Sequence, residues 1–350
     1  MAGASFILTH NRHDRAIGIW LLVVALLVFV MIVVGGATRL TESGLSMVNW
    51  QPLSGTLPPL SETDWQEEFS AYKAYPQYLT VNRGMTLDEF KTIFWWEYMH
   101  RLLGRLVGLA FALPLLFFIA RGRVRRELKM TLFFLLALGG SQGLLGWYMV
   151  QSGLVDVPAV SHYRLAAHLG LALIIFASLL WVSLGLLRPG QGQEDRRFRR
   201  TAGWMLGLVG AQSLMGALVA GLDAGRAYNT WPLIDGGLVP ERMFELSPWW
   251  INFFENIATV QFDHRMMAYV LLGLAVYLWV LARRRPVPPS LRTGTGVFLV
   301  LMLVQASLGI ATLLAMVPVG LGTLHQAGGV MVLATSVFLV FEAQQREVQG

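Results

Sequence analysis

Four short clusters hold the residues best suited to chemistry: Glu97-Tyr98-Met99-His100-Arg101, Arg164-Leu165-Ala166-Ala167-His168, Phe262-Asp263-His264-Arg265 and Leu324-His325-Gln326. Each lies at the mouth of a long apolar run, where an ionisable side chain is costly unless something uses it. Pairs of neutral imidazoles on facing helices serve as axial ligands of haem iron. They also bind zinc or copper. No cysteine, carboxylate pair or His-x3-His spacing accompanies them to favour a bare metal. The expectation is therefore two metal-bearing macrocycles, with His100, His168, His264 and His325 as iron ligands.

The neighbours of these histidines fit that expectation. Four positions after each one, a single helical turn away, stand Gly104, Ala172, Ala268 and Gly329. All four are small, as a flat ring beside its ligand requires. Arg101, Arg164 and Arg265 adjoin the clusters, and Arg39 closes the first apolar run. Arginine pairs carboxylates through two parallel hydrogen bonds, so these four are candidate partners of haem propionates. Glu97 precedes His100 by three residues and shares its helix face. Gln261 occupies that offset before His264. The two sets are chemically unequal, which predicts a reactive site at Glu97 and an electron-transfer site at His264. His10 and His13 read as tail residues. His162 falls roughly 120° round the helix from His168, and Met99, Met266 and Met267 read as packing.

These side chains need membrane helices to position them. Of 350 residues, 55% are hydrophobic and 14% charged, and mean hydropathy is +0.54. Soluble domains carry about 25% charged residues, so the chain is an all-α integral membrane protein. Eight spans are predicted, roughly 16–37, 98–120, 130–150, 165–187, 202–222, 264–282, 294–316 and 323–342, each near the ~20 residues a bilayer needs. The polar segment Met1–Arg15 lacks an Arg/Ser-rich transit pattern, and the run from Ile17 suits a spanning helix. A bacterial inner membrane is the expected location. The net charge of +6 is carried by arginines between spans. They behave as topology signals rather than a nucleic-acid surface. Arg121, Arg123, Arg125, Arg126 and Lys129 follow span 2. Arg188, Arg196, Arg197, Arg199 and Arg200 follow span 4. Arg283, Arg284, Arg285 and Arg292 follow span 6. By the positive-inside rule both termini are cytoplasmic, and all four histidines lie near the periplasmic side. The long segment about 38–97 is outside, with an amphipathic piece at Trp65–Tyr78 and the Trp249-Trp250 pair at the interface.

The spans group into two halves, 1–190 and 191–350, each a four-helix bundle with histidines on its second and fourth helices. They are expected to be pseudo-repeats. His-Arg recurs at 100–101 and 264–265. Asn49-Trp-Gln-Pro-Leu-Ser-Gly55 echoes Asn229-Thr-Trp-Pro-Leu-Ile-Asp-Gly236, and Gln142-x3-Gly146 echoes Gln305-x3-Gly309. Both halves begin on the same side, which makes the repeat parallel rather than inverted. The absence of cysteine excludes disulfides, thiolate ligands and covalent haem attachment through Cys-x-x-Cys-His.

The chain resembles haem A synthase over about residues 16–342. Gly35-Gly-Ala-Thr-Arg-Leu-Thr-Glu-Ser-Gly-Leu-Ser46 and Ala224-Gly-Arg-Ala-Tyr-Asn-Thr-Trp-Pro232 carry the resemblance together with the four histidine clusters. It is similar to the cysteine-free branch of proteobacteria and mitochondria. The resemblance implies oxidation of the C8 methyl of haem O to the formyl group of haem A, through hydroxylated intermediates, for terminal oxidase assembly. It implies that His100 and His168 border the haem O substrate site, with Arg39, Arg101 and Arg164 beside it. It further implies a permanent haem b on His264 and His325 with Arg265, and Glu97 as the essential acid. Implied partners are the haem O synthase, oxidase assembly factors, an electron donor, the lipid bilayer and further copies of the chain, with no nucleic acid. A di-haem b-type electron carrier would use the same histidines. Such carriers usually stack their haems across the membrane, whereas all four ligands here fall on one side. A transporter would need polar residues through the membrane depth, and spans 1, 3, 5 and 7 have few.

Overall fold

The computed structural model describes residues 13–48, 54–153, 160–188 and 195–344. The loop motif at 49–55 and His10 fall largely or wholly outside them. Eight helices are long and apolar enough to cross a membrane: α1 Asp14–Leu40, α2 Leu87–Ala120, α3 Arg126–Gly153, α4 His162–Leu187, α5 Arg196–Gly221, α6 Ile257–Arg284, α7 Pro289–Leu314 and α8 Val319–Glu342. No β-strand occurs among the described residues.

Helices α1, α4, α5 and α8 pack against one another at the centre. The pair α2 and α3 flanks them on one side, and α6 and α7 on the other. Each helix turns its buried residues to its neighbours and leaves large apolar ones outward, such as Leu106, Leu109, Leu113 and Leu116 on α2. In water that surface would be a liability. In hydrocarbon it is the required face, since backbone polar groups are already satisfied inside the helix.

Local chemistry fixes several close approaches. Pro114 has no N–H, so the Ala110 carbonyl one turn before it loses its helical donor. The Trp20 indole of α1 donates to that carbonyl at 2.8 Å, joining α1 to α2. Ser183 Oγ on α4 donates to Gly18 O on α1, also at 2.8 Å and fully buried. The arginine-rich end is tied by ion pairs. Arg125 meets Asp14 at 3.4 Å, and Arg188 meets Glu342 at 3.2 Å; both acids are 1% exposed. These arginines have a structural role in joining helix ends.

Two expectations need correction. Helix α2 begins eleven residues earlier than the hydropathy suggests, because Thr86 and Glu89 form a reciprocal capping box at its start. His100 therefore lies more than three turns inside α2, and His264 lies two turns inside α6, rather than at the helix mouths. The amphipathic piece Glu62–Lys73 turns its apolar face to protein rather than outward. Its Trp65, Phe69 and Tyr72 are buried against Phe90, Phe94 and Tyr98 on the extension of α2. The apolar face is covered by protein, which removes any need for lipid.

Candidate functional site

All four histidines sit in the half of the bundle away from the arginine-rich end, one pair on α2 and α4, the other on α6 and α8. Each pair thus joins one flanking helix to one central helix. His100 and His168 lie within electrostatic reach of each other, as do His264 and His325. The His264 and His325 ring centroids are 6.5 Å apart with planes at 77°.

Each ring is seated against a glycine of the preceding long helix. A Cβ at Gly35 would come within 3.0 Å of His100 Nε2, and one at Gly146 within 3.0 Å of His168 Cε1. The corresponding approaches are 3.2 Å from Gly216 to His264 Cε1 and 2.8 Å from Gly309 to His325 Cε1. A side chain at any of these positions would crowd the imidazole, most severely at Gly309. Three of these glycines follow a glutamine by four positions. The Nε2 of Gln142, Gln212 and Gln305 donates to the backbone carbonyl of His168, His264 and His325 at 3.1, 3.0 and 2.8 Å. The motif legible on α3 and α7 recurs on α5 as Gln212-x3-Gly216, with the same spacing, and Gly35 lies within the longer segment Gly35–Ser46.

The small residues four positions after the histidines meet neighbouring helices. A Cβ at Gly104 would contact Met31 Cε at 3.4 Å, and one at Gly329 would contact Gln305 Nε2 at 3.6 Å. They admit a side chain from the next helix at these two positions.

Glu97 is 2% exposed and fully engaged. Its Oε2 accepts from Ser46 Oγ and from the Met47 N–H, both at 2.8 Å, and its Oε1 accepts from Arg101 Nη2 at 2.5 Å. Arg101 Nη2 also donates to the Met47 carbonyl at 2.8 Å. The pair clasps the loop that follows α1. Glu68, on the outer helix above it, is half-buried; burial pushes its carboxyl above the ordinary glutamate range, and the charge of Arg101 opposes this.

An equivalent clasp exists in the second half. Arg265 Nη2 donates to Gln261 Oε1 at 2.9 Å and to Tyr228 O at 3.2 Å, and its Nη1 donates to Thr230 O at 2.9 Å. Gln261 Nε2 donates to the carbonyls of Ala224 and Tyr228 at 2.8 and 2.6 Å. The other arginines point to different partners. Arg39 reaches Ala220 O at 3.2 Å and Asp223 at 3.4 Å, across to the end of α5. Arg164 lies over the Tyr148 ring at 4.9 Å. His162 packs against Gly221 instead of joining His168.

Among the described residues no group of three or more His, Asp or Glu side chains converges as a bare metal would ask. A porphyrin supplies four nitrogens itself and needs only the axial pair. At roughly 2 Å per metal–nitrogen bond, rings whose centroids lie 6.5 Å apart leave room for one metal ion that both could hold. The His264–His325 separation fits that geometry.

A family model described as cytochrome oxidase assembly protein matches residues 18–337. The chain belongs to this family. It is 52% identical over 330 residues to a protein named heme A synthase from Parvibaculum lavamentivorans, covering 94% of this chain and 95% of that one. It is 49% identical over 335 residues to the heme A synthase of Nitrosomonas eutropha, with 94% of each chain covered. It is 50% identical over 333 residues to that of Rhizobium meliloti, covering 93% of this chain and 89% of the relative.

Proposed function

We propose that this chain is an oxidoreductase that converts haem O to haem A by oxidising the C8 methyl to a formyl group. In this reading the halves 1–190 and 191–350 are repeated units. The first holds the substrate haem O between His100 and His168, and the second holds haem b between His264 and His325. The observation that carries the reading is the His264–His325 pair, whose 6.5 Å separation suits two axial ligands of one iron. When bound, haem b would supply electron transfer to the first half.

The chain's own residues orient and shield. The four glycines let the helices close around the imidazoles and exclude water. The clasp of Glu97, Arg101 and Ser46 seats the loop after α1 over the His100 side. Glu97 is held in place by three donors. Its role is a fixed negative charge close to the reacting methyl, an electrostatic stabiliser of developing positive charge. Arg39, Arg101, Arg164 and Arg265 stand at the same end, where haem propionates would lie, although each already has a protein partner. Each guanidinium carries five N–H donors, and the Nε of Arg39 and of Arg265 has no hydrogen-bond partner among the described residues, so a propionate can join the existing contacts.

The proposed setting is a bacterial inner membrane with both termini cytoplasmic and the ligands towards the periplasm. Haem O synthase would supply substrate, oxidase assembly factors would receive the product, and self-association is part of the same setting. Acid–acetone extraction of the purified protein, with chromatographic separation of haems B, O and A, tests the reading. Haem B together with haem O, haem A or a hydroxylated form is expected. Haem B alone, two per chain even when haem O is supplied, would instead indicate a di-haem electron carrier.

A further inference from the structure

Three of the four histidines share a device that the fourth lacks. Gln142, Gln212 and Gln305 each donate to the backbone of their histidine, and the same amide nitrogen reaches the ring. It lies 3.3 Å from both ring nitrogens of His168, 3.5 Å from Nε2 of His264 and 3.1 Å from Nδ1 of His325. In all three, Oε1 is buried with no hydrogen-bond partner among the described residues. Buried amide oxygens without a donor are uncommon, and a repeated triplet of them points to a shared task. The hold on each ring is the amide nitrogen, bonded to the histidine carbonyl and in contact with the ring, while the oxygen of Gln305 lies against Gly328.

On α1 the residue four before Gly35 is Met31. It fills the same place: Met31 Cε approaches Gly104 as Gln305 Nε2 approaches Gly329. A thioether offers no donor and only a weak acceptor. Among the described residues the His100 side chain makes no hydrogen bond.

We propose that Gln142, Gln212 and Gln305 are positioning residues that lock the rings of His168, His264 and His325, and that Met31 leaves His100 as the one ligand able to swing off and return. The first-half site can then admit and release a haem, while the second-half site keeps its own. This rests on the reading of His100 and His168 as ligands of the substrate haem. Groups that orient a metal-bound histidine change metal affinity by about 10- to 100-fold when removed, which sets the expected scale.

The test follows haem transfer from the purified, full-length, haem-loaded protein to excess apomyoglobin by absorbance, with electron paramagnetic resonance reporting ligand orientation. The native protein should release haem in a fast and a slow phase. Met31→Gln should slow the fast phase about 10-fold and shift the resonance of that haem alone. Gln305→Met should speed the slow phase by about the same factor and shift the other resonance. Unchanged phases and resonances in both variants overturn the proposal. Should Met31→Gln lose both haems through misfolding, Gln142→Met decides instead. Faster release from the first site supports the proposal, and unaltered release and resonance overturn it. His100→Ala separates the two levels. Loss of the fast-phase haem is required by the site reading, and its retention overturns that reading. Loss in His100→Ala with inert Met31 and glutamine variants overturns only the locking device.

Discussion

The two clasps beside His100 and His264 have the same plan and different charge. In each, the residue three before the histidine and the arginine after it bind one another and hold the loop that leaves the preceding helix. In the first half that residue is Glu97, an anion with three donors. In the second it is Gln261, which donates to two carbonyls and accepts from Arg265. The neutral amide is the cheaper way to build a clasp, because burying a charge costs several kcal/mol before any pairing repays it. A structural task alone therefore does not ask for Glu97. The difference teaches where a fixed negative charge is wanted.

The sharpest way to break the comparison is to make the two clasps alike. Glu97→Gln should lower haem A yield by about a hundredfold or more, while the haem signal of the second half persists. Full yield from that variant would reduce Glu97 to a structural clasp. Next in size is His264→Ala, for which we expect loss of the low-spin haem b signal with content down about tenfold or more. Unaltered haem b content would move the resident haem elsewhere. Smaller still are the glycine seats. Gly309→Ala sets a methyl 2.8 Å from the His325 ring, and overpacking of this kind costs about 1–3 kcal/mol. Thermal unfolding should show the loss, and weakened haem retention should accompany it. Gly146→Ala should do the same to the first half only. The least effect concerns Glu68. Its folded-state carboxyl titrates above the ordinary value through burial, so the stability it contributes is present in acid and is lost as pH rises through that raised value. Limited proteolysis of the outer segment should proceed more slowly near pH 4 than at neutrality, by about twofold or more, and Glu68→Gln should flatten the difference.

Much of this was legible in the residues. Continuous apolar runs reveal spans because lipid tolerates little else, and the four histidine clusters stand out against so few charges. The start of α2 was legible too, in Thr86-x-x-Glu89, yet hydropathy hid it, since a capped amphipathic extension above a membrane looks like a loop to a polarity scale. The burial of Trp65, Phe69 and Tyr72 was not legible. An amphipathic helix presents the same pattern whether lipid or protein covers it. The glycine seats are not legible, because a glycine opposite a ring 16 or more residues away leaves no periodic trace. The third Gln-x3-Gly was missed although its spacing was in view. The double engagement of Glu97 by Ser46 and Met47 depends on how a loop folds back, which spacing does not encode.

One contact between the halves has a genetic meaning. Gln326 on α8 donates to Ile32 O on α1 at 2.9 Å, and its Oε1 lies against Gly36, where a Cβ would collide with it. Gln326 directly follows His325, and Gly36 directly follows the glycine that seats His100. A single methyl at position 36 would push apart the helices that carry His325 and the glycine seat of His100. Its carrier would show two symptoms from one lesion, and a screen for either defect would recover a residue that touches neither histidine.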